Sequence, residues 1–142
     1  MRSSLAILLL LAAPAAAETR AERAAAEAAR IASLPATGDA RKCLPLGEIQ
    51  QTRPVGQTML LVRAGGNRWY RNTLRQPCTS LREERVLVYR TTASTICDID
   101  LVDVVDPLSR INFGPCFLGA FEPVDYGARA KQETGEGESA KP

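Results

Sequence analysis

The four cysteines constrain this chain more than any other feature. Cys43, Cys78, Cys97 and Cys116 are widely spaced along 142 residues, no two of them form a C-x-x-C pair, and the chain contains no histidine. Structural zinc sites need closely paired thiolates or added histidines, and dithiol redox catalysis commonly uses C-x-x-C. An even set of cysteines in an exported chain is typical of structural disulfides. We therefore expect two disulfides, no metal and no cofactor.

The N-terminus has the three parts of a secretory signal peptide. A basic start at Arg2 is followed by an apolar run from Leu5 to Ala13, too short to span a bilayer, and then by small residues up to Ala17. We expect cleavage after Ala17. No cysteine lies there to carry a lipid anchor, and no later segment has the roughly 20 apolar residues of a transmembrane helix. The sequence predicts a periplasmic protein, with the extracellular medium as the alternative.

Composition divides the chain into four parts. We expect a signal peptide over residues 1–17, an Ala-rich helix and linker over 18–40, a disulfide-stapled β-domain over 41–124 and a disordered tail over 125–142. The apolar stripe of the helix, which runs to Leu34, consists mostly of alanine and has little bulk to bury. We therefore expect the helix to be a spacer or a loosely docked arm.

Short runs of β-branched, aromatic and aliphatic residues bounded by turn residues predict strands in the third part. They cover residues 46–53, 58–63, 68–73, 85–90 and 96–105. The polar phase changes within the last run, as at a β-bulge. Residues 114–121 then return two phenylalanines and two glycines to close one end of the core. The predicted fold class is mainly β: a small antiparallel sheet, strongly bent or forming a partly closed barrel.

Four cysteines can pair in three ways, and the sequence does not choose among them. We favour Cys78 with Cys97, which would tie one strand to another one hairpin later, and Cys43 with Cys116, which would join the ends of the domain. The chain-entropy model assigns about 3 to 5 kcal/mol to each loop. That is a large share of the stability of a small domain.

One stretch, from Asn67 to Cys78, holds the only tryptophan among arginines. Aromatic rings interleaved with guanidinium groups suit a stacking and anion-binding surface for a sugar, nucleobase or phosphorylated ligand. In a small β-domain, however, a tryptophan is more often a core residue, and we favour that interpretation. The candidate binding residues here are Arg63, Arg68, Trp69, Tyr70 and Arg71.

The Gly65-Gly66 pair predicts a two-residue hairpin turn that sets Arg63 opposite Arg68. Like charges directly opposite each other are unfavourable. We therefore expect an acidic group between the two arginines, from Asp98 or Asp100 inside the protein or, as the alternative, from an external anion. The same register pairs Val62 with Trp69 and Leu61 with Tyr70.

The absence of histidine excludes mechanisms that use imidazole as a base, including the common serine and cysteine triads. Carboxylates remain as possible catalytic acids and bases. Asp98 and Asp100 are candidates because alternate strand residues share a face, where two carboxylates can share a proton or hold a hard cation. No calcium-loop motif accompanies them. We favour the interpretation that both are solvated, with Ile99 and Leu101 directed inward, or that they pair with arginines.

Four motifs together resemble a known family. Cys43 is followed by N-x-W-Y-x-N-T-L-x-x-x-C from Asn67 to Cys78, by I-C-D-x-D from Ile96 to Asp100, and by C-x-L-G-x-F from Cys116 to Phe121. Over about residues 41–124 this order resembles a family of small exported Gram-negative proteins known only as domain of unknown function 6491. The resemblance implies one cysteine-bearing domain and no particular activity.

The formal net charge of +2 does not indicate a nucleic-acid or membrane partner. We favour a non-enzymatic exported β-domain that binds a partner or contributes to envelope maintenance, its partner being a periplasmic protein or an anionic small molecule. One alternative is a carboxylate-dependent hydrolase or lyase that acts through Asp98 and Asp100. Another is a small-ligand or carbohydrate binder that acts through Trp69 and Tyr70.

Overall fold

The computed structural model of the chain describes residues 19–127. Within that range the helix, a short 3₁₀ turn and the strands follow one another in a simple order. Their bounds are α1 Arg20–Ala32, β1 Cys43–Pro45, the 3₁₀ turn Leu46–Glu48, β2 Ile49–Val55, β3 Met59–Ala64, β4 Arg68–Thr73, β5 Val86–Arg90, β6 Thr95–Cys97, β7 Leu101–Val105, β8 Asn112–Phe117 and β9 Phe121–Val124. The predicted signal peptide and most of the predicted tail lie outside the described residues. No helix between residues 19 and 127 is long and apolar enough to cross a membrane.

The strands form three antiparallel sheets, ordered β1-β6, β2-β3-β4-β9 and β5-β7-β8. The mainly β, antiparallel prediction is confirmed. The expected partial barrel is wrong, because the sheets in the described part of the chain remain separate. Pro54, Pro115 and Pro123 lie in the edge strands β2, β8 and β9. Since proline has no N–H to donate, these edges are poorly suited to joining one sheet to another.

The predicted strand over residues 96–105 is divided into β6 and β7. Between them Asp98 and Ile99 form a turn. The Asp100 carboxylate accepts a hydrogen bond from the Cys97 amide at 2.6 Å, and the Asp100 amide donates to the Cys97 carbonyl at 3.0 Å. Such local bonds to an aspartate compete with strand pairing. Ile99 is 73% exposed, so its predicted inward orientation is wrong.

Two apolar clusters cover the two faces of the four-stranded sheet. Strand β3 supplies both: Leu60 and Val62 pack into the larger cluster, between the sheets, and Met59 and Leu61 into the smaller one. This explains why the β3 sequence is continuously apolar instead of alternating. The smaller cluster is completed by α1, through Ile31 and the following Leu34, so the four-stranded sheet is covered by a helix on one face.

The expectation of a loosely docked helix is wrong. Ile31 is fully buried and Leu34 is 5% exposed. Polar contacts add to this packing, since the Arg53 guanidinium donates to Glu27 of α1 at 2.8 Å. The alanine-rich stripe predicted weak docking, but two large aliphatic residues, Ile31 near the end of α1 and Leu34 just after it, are buried against the sheet. A capping box at Thr19 fixes the other end of α1.

Both favoured disulfide pairings are wrong, although all four cysteines are paired as expected. Cys43 is bonded to Cys97 because these residues lie directly opposite each other in the β1-β6 pair. Cys78 is bonded to Cys116 of β8, which fastens the segment after β4 to the three-stranded sheet. The sequence did not reveal β1, β6 or β8 as separate strands, and their pairing determines which cysteines meet.

Candidate functional site

A cleft of about 700 Å³ lies where the pairing of β4 with β9 ends. Polar residues and the half-buried Trp69 share its wall. The lining residues are Thr37, Asn67, Arg68, Trp69, Tyr70, Pro123, Val124, Asp125 and Gly127. Clefts of this volume are typical of sites for small ligands.

The hairpin that carries Trp69 has a different register from the predicted one. Gly65 and Gly66 both have positive φ, 52° and 86°, and Asn67 extends the turn, so Ala64 pairs with Arg68 and Arg63 pairs with Trp69. A shift of one residue moves every side chain to the opposite face. The predicted pairing of Arg63 with Arg68 is therefore wrong.

The shift exchanges the predicted surroundings of the two aromatic residues. Tyr70 lies opposite Val62 and is only 3% exposed, so its ring belongs to the larger core cluster. Its hydroxyl accepts a long hydrogen bond, 3.4 Å, from Arg41. Trp69, which was expected in the core, packs instead at the margin of the smaller cluster. Both residues line the cleft, and Trp69 is the more exposed of the two.

The rings and cations around Trp69 form a connected set. The Arg63 guanidinium lies 5.9 Å from the indole centroid, and the Tyr126 ring meets the indole edge-to-face with centroids 4.9 Å apart. The indole Nε1 is buried and has no hydrogen-bond acceptor within residues 19–127. A buried donor without an acceptor costs about 1 to 3 kcal/mol.

Arg68 meets an acidic group, but not the predicted one. Its guanidinium forms an ion pair with Glu48 at 3.0 Å and donates to the Gly65 carbonyl at 3.2 Å. Glu48 ends the 3₁₀ turn before β2, which pairs with β3 and so comes close to the hairpin. The Arg68 side chain remains 55% exposed. It can therefore contact a ligand in the cleft without losing its internal partner.

Arg71, another predicted binding residue, holds α1 in place. Its guanidinium donates to the carbonyls of Ile31, Ala32 and Leu34 at 2.7 to 3.0 Å and to Glu122 at 2.8 and 3.0 Å. The carbonyls at a helix C-terminus have no partners within the helix and carry its negative dipole end. Arg71 supplies hydrogen-bond donors to these carbonyls and a positive charge to the negative end of the dipole. Its side chain is only 11% exposed. It is a structural residue, outside the cleft.

The two candidate catalytic carboxylates do not lie on one strand. Asp98 belongs to the turn after β6 and Asp100 follows that turn, and the Asp100 carboxylate accepts a hydrogen bond from the Cys97 amide. Both residues lie outside the Trp69 cleft. No group of three or more metal-ligating side chains within residues 19–127 is arranged to hold a metal ion.

The comparison with known families agrees with the motifs. The model of the family of unknown function DUF6491 matches residues 1–140. The chain belongs to this family. The match extends beyond the expected range of 41–124, consistent with the firm packing of α1 on the sheet. No curated protein and no solved structure matches the chain.

The structure gives a physical reason for two of the DUF6491 motifs. Asn72, in the N-T-L segment, is fully buried. Its side-chain amide donates to the Gly119 carbonyl and accepts from the Gly119 amide at 3.0 Å. A Cβ at Gly119 would lie 2.0 Å from the Thr73 carbonyl oxygen, so only glycine allows this approach. These motifs lock β4 to the segment between β8 and β9.

Sequence reasoning missed most of the cleft wall. Thr37 reaches it because the segment after α1 lies beside β9, where the Thr37 amide donates to the Pro123 carbonyl at 2.8 Å; Asp125 and Gly127 follow β9 directly. Asn67 belongs to the aromatic stretch noted in the sequence, and its closeness to Trp69 could have indicated that both residues line the cleft. The remaining residues depend on the pairing of β9, which had no recognisable strand pattern.

Proposed function

We propose that this DUF6491 protein is an exported, non-enzymatic binding domain of the bacterial envelope, and that the Trp69 cleft is its ligand site. Export is supported by the signal-peptide pattern of residues 1–17 and by two disulfides, which persist in oxidising compartments. The periplasm is the favoured compartment.

The observation that carries the binding role is the cleft itself. It combines a suitable volume with an indole N–H that has no acceptor among the described residues. The Asn67 amide and the indole both lie beside Gly127, since a Cβ on this glycine would come within 2.8 Å of Asn67 Nδ2 and 3.1 Å of Trp69 Nε1. If Gly127 moves aside, these two neighbouring N–H groups can donate to a single acceptor oxygen.

The ligand class follows from these donors. Asn67, Arg68 and Trp69 are lining residues with N–H groups. The positive charge of Arg68 offsets the negative charge of Asp125, which also lines the cleft. An oxygen-rich, anionic small molecule complements the donors. Because Gly127 lies next to the buried indole nitrogen, an acceptor can reach this nitrogen only if Gly127 moves aside.

The experiment measures binding of anionic envelope components by isothermal titration calorimetry. Probes are muropeptides, uronic-acid oligosaccharides and inorganic phosphate. We expect one probe class to bind, and Asn67→Ala and Arg68→Gln to weaken its affinity about tenfold each, the loss of one good hydrogen bond.

The matched control is Gln76→Ala, which removes an exposed side-chain amide outside the cleft. Its affinity should equal that of the parent. Equal affinity for Asn67→Ala and the parent would place the binding site elsewhere. Absence of binding for every probe would reject the proposed ligand class.

A further inference from the structure

The edges of the three sheets differ in how well they are protected against pairing with another strand. A free strand edge presents unpaired N–H and C=O groups and invites association unless it is short, bulged, covered or interrupted by proline. Strand β2 has Pro54 and a register shift after Ile49, and β8 has Pro115 and a second register shift. Both edges are therefore blunted.

Strand β9 and the β1-β6 pair are protected in other ways, β9 by the chain that lies alongside it and β1-β6 by the shortness of its strands. Strand β9 contains Pro123 and is bridged by Ala36 and Arg41, which lie alongside it. The β1-β6 sheet consists of strands of three residues each. Short strands offer few pairing groups.

Strand β5 has none of these protections. Its five residues, Val86–Arg90, contain no proline and pair with β7 without a register shift. No strand in the described part of the chain pairs with its other edge. All five residues are at least partly exposed, and Val86 and Val88 are 48% and 46% exposed. An apolar, regular and open edge of this kind is a predicted site of strand addition.

We propose that β5 pairs with β5 of a second copy of this chain, antiparallel and centred on Val88. Two identical strands paired in this way are related by a two-fold axis, so the contact closes on itself as a dimer. The two three-stranded sheets become one six-stranded sheet. Its outer edges are the two copies of β8, which Pro115 protects from further growth.

The side chains of β5 suit this register. Centring on Val88 sets Val88 opposite its own copy and Leu87 opposite Tyr89, and cross-strand pairs of these types are favourable. Arg90 then lies opposite Val86, so no like charges face each other. Each of the five residues of β5 therefore lies opposite a residue of β5 in the second copy with which it can pair.

Charge complementarity supports the same pairing. The Arg90 side chain is 62% exposed and donates through Nε to the Asp103 carboxylate, so its terminal nitrogens are not used by this ion pair. Glu84 is exposed and lies two residues before Val86. In the proposed register Arg90 lies opposite Val86 of the second copy, and Glu84 of that copy, in the turn two residues before Val86, is the acidic side chain nearest to it along the chain. The two-fold axis creates this arrangement twice.

The first test uses charge at the axis. Val88→Lys and Val88→Glu place like charges opposite each other, and because Val88 is half-exposed both variants should keep the parent fold by circular dichroism. By light scattering across a concentration series, the parent should reach twice the monomer mass while each variant stays monomeric. An equimolar mixture of the two variants should recover the dimer, because lysine then faces glutamate.

The second test uses cross-linking with a matched control. Val88→Cys places a thiol opposite its own copy, whereas Val86→Cys, equally exposed, faces Arg90. Mild oxidation should therefore give a covalent dimer with Val88→Cys at least tenfold faster than with Val86→Cys. A parent that stays monomeric at every concentration, a Val88→Lys variant that still dimerises, or equal cross-linking of the two cysteines would overturn the inference.

Discussion

Replacing Arg71 with methionine tests how α1 is held. Methionine keeps the apolar length of the side chain but removes the guanidinium, which joins the end of α1 to Glu122. Glu122 is 38% exposed, so water can replace that partner, and the ion pair is worth no more than about 1 kcal/mol. The charge-assisted contact with the helix carbonyls should contribute about 1.5 to 3 kcal/mol.

We therefore expect Arg71→Met to lower the free energy of unfolding by about 3 kcal/mol. Urea denaturation measures this loss, and hydrogen exchange locates it: amides at the end of α1 should exchange faster than those of β3. The control is Arg75→Met, since Arg75 is exposed and should change stability by less than about 0.5 kcal/mol. Equal urea midpoints for the two variants, or unchanged exchange in α1, would refute a clamping role for Arg71.

Two further predictions concern Gly119 and the acid stability of α1. Gly119→Ala should lower the free energy of unfolding by more than about 2 kcal/mol in urea denaturation, because its Cβ would lie 2.0 Å from the Thr73 carbonyl oxygen. The control is Gly47→Ala, whose Cβ would meet nothing within 4 Å. Equal losses in the two variants would contradict the close approach at Gly119. A hydrogen bond from the Arg53 guanidinium holds the pKa of Glu27 below its usual value. The stabilisation is therefore complete above the usual pKa and is lost as the pH falls through the lowered one. Relative to the intrinsic exchange rate at each pH, the protection of the α1 amides should fall over that acid range in the parent and much less in Glu27→Gln. Identical protection profiles would show that this pair does not stabilise the docked helix.

Local patterns predicted much of the fold. Strand β4 was predicted with its observed bounds, and β3 and β5 within one residue, because β-branched and aromatic runs between turn residues are strong local signals. The division of residues 96–105 into two strands was missed. The Asp100 carboxylate accepts a hydrogen bond from the Cys97 amide, and this local bond favours a turn at residues 98 and 99 over a continuous strand.

The candidate site was predicted less well, because it depends on register and on distant pairing. One extra residue in the turn, Asn67, reversed the roles of Trp69 and Tyr70. Arg71 looked like a ligand-binding residue because its sequence neighbours are aromatic, yet its partners lie 37 to 51 residues away. The cysteine pairing failed for the same reason, since Cys43 and Cys97 meet only through the short β1-β6 pair.

The central functional claim is that a ligand enters the cleft at Trp69. Trp69 is the only tryptophan in the chain, so a ¹H–¹⁵N correlation spectrum contains one indole N–H signal, assigned without ambiguity. When the probe that binds by calorimetry is titrated, this signal should shift downfield and saturate together with the Asn67 side-chain amide, as both acquire an acceptor, while the β5 amides stay in place. An indole signal that does not move at saturating probe would contradict the claim.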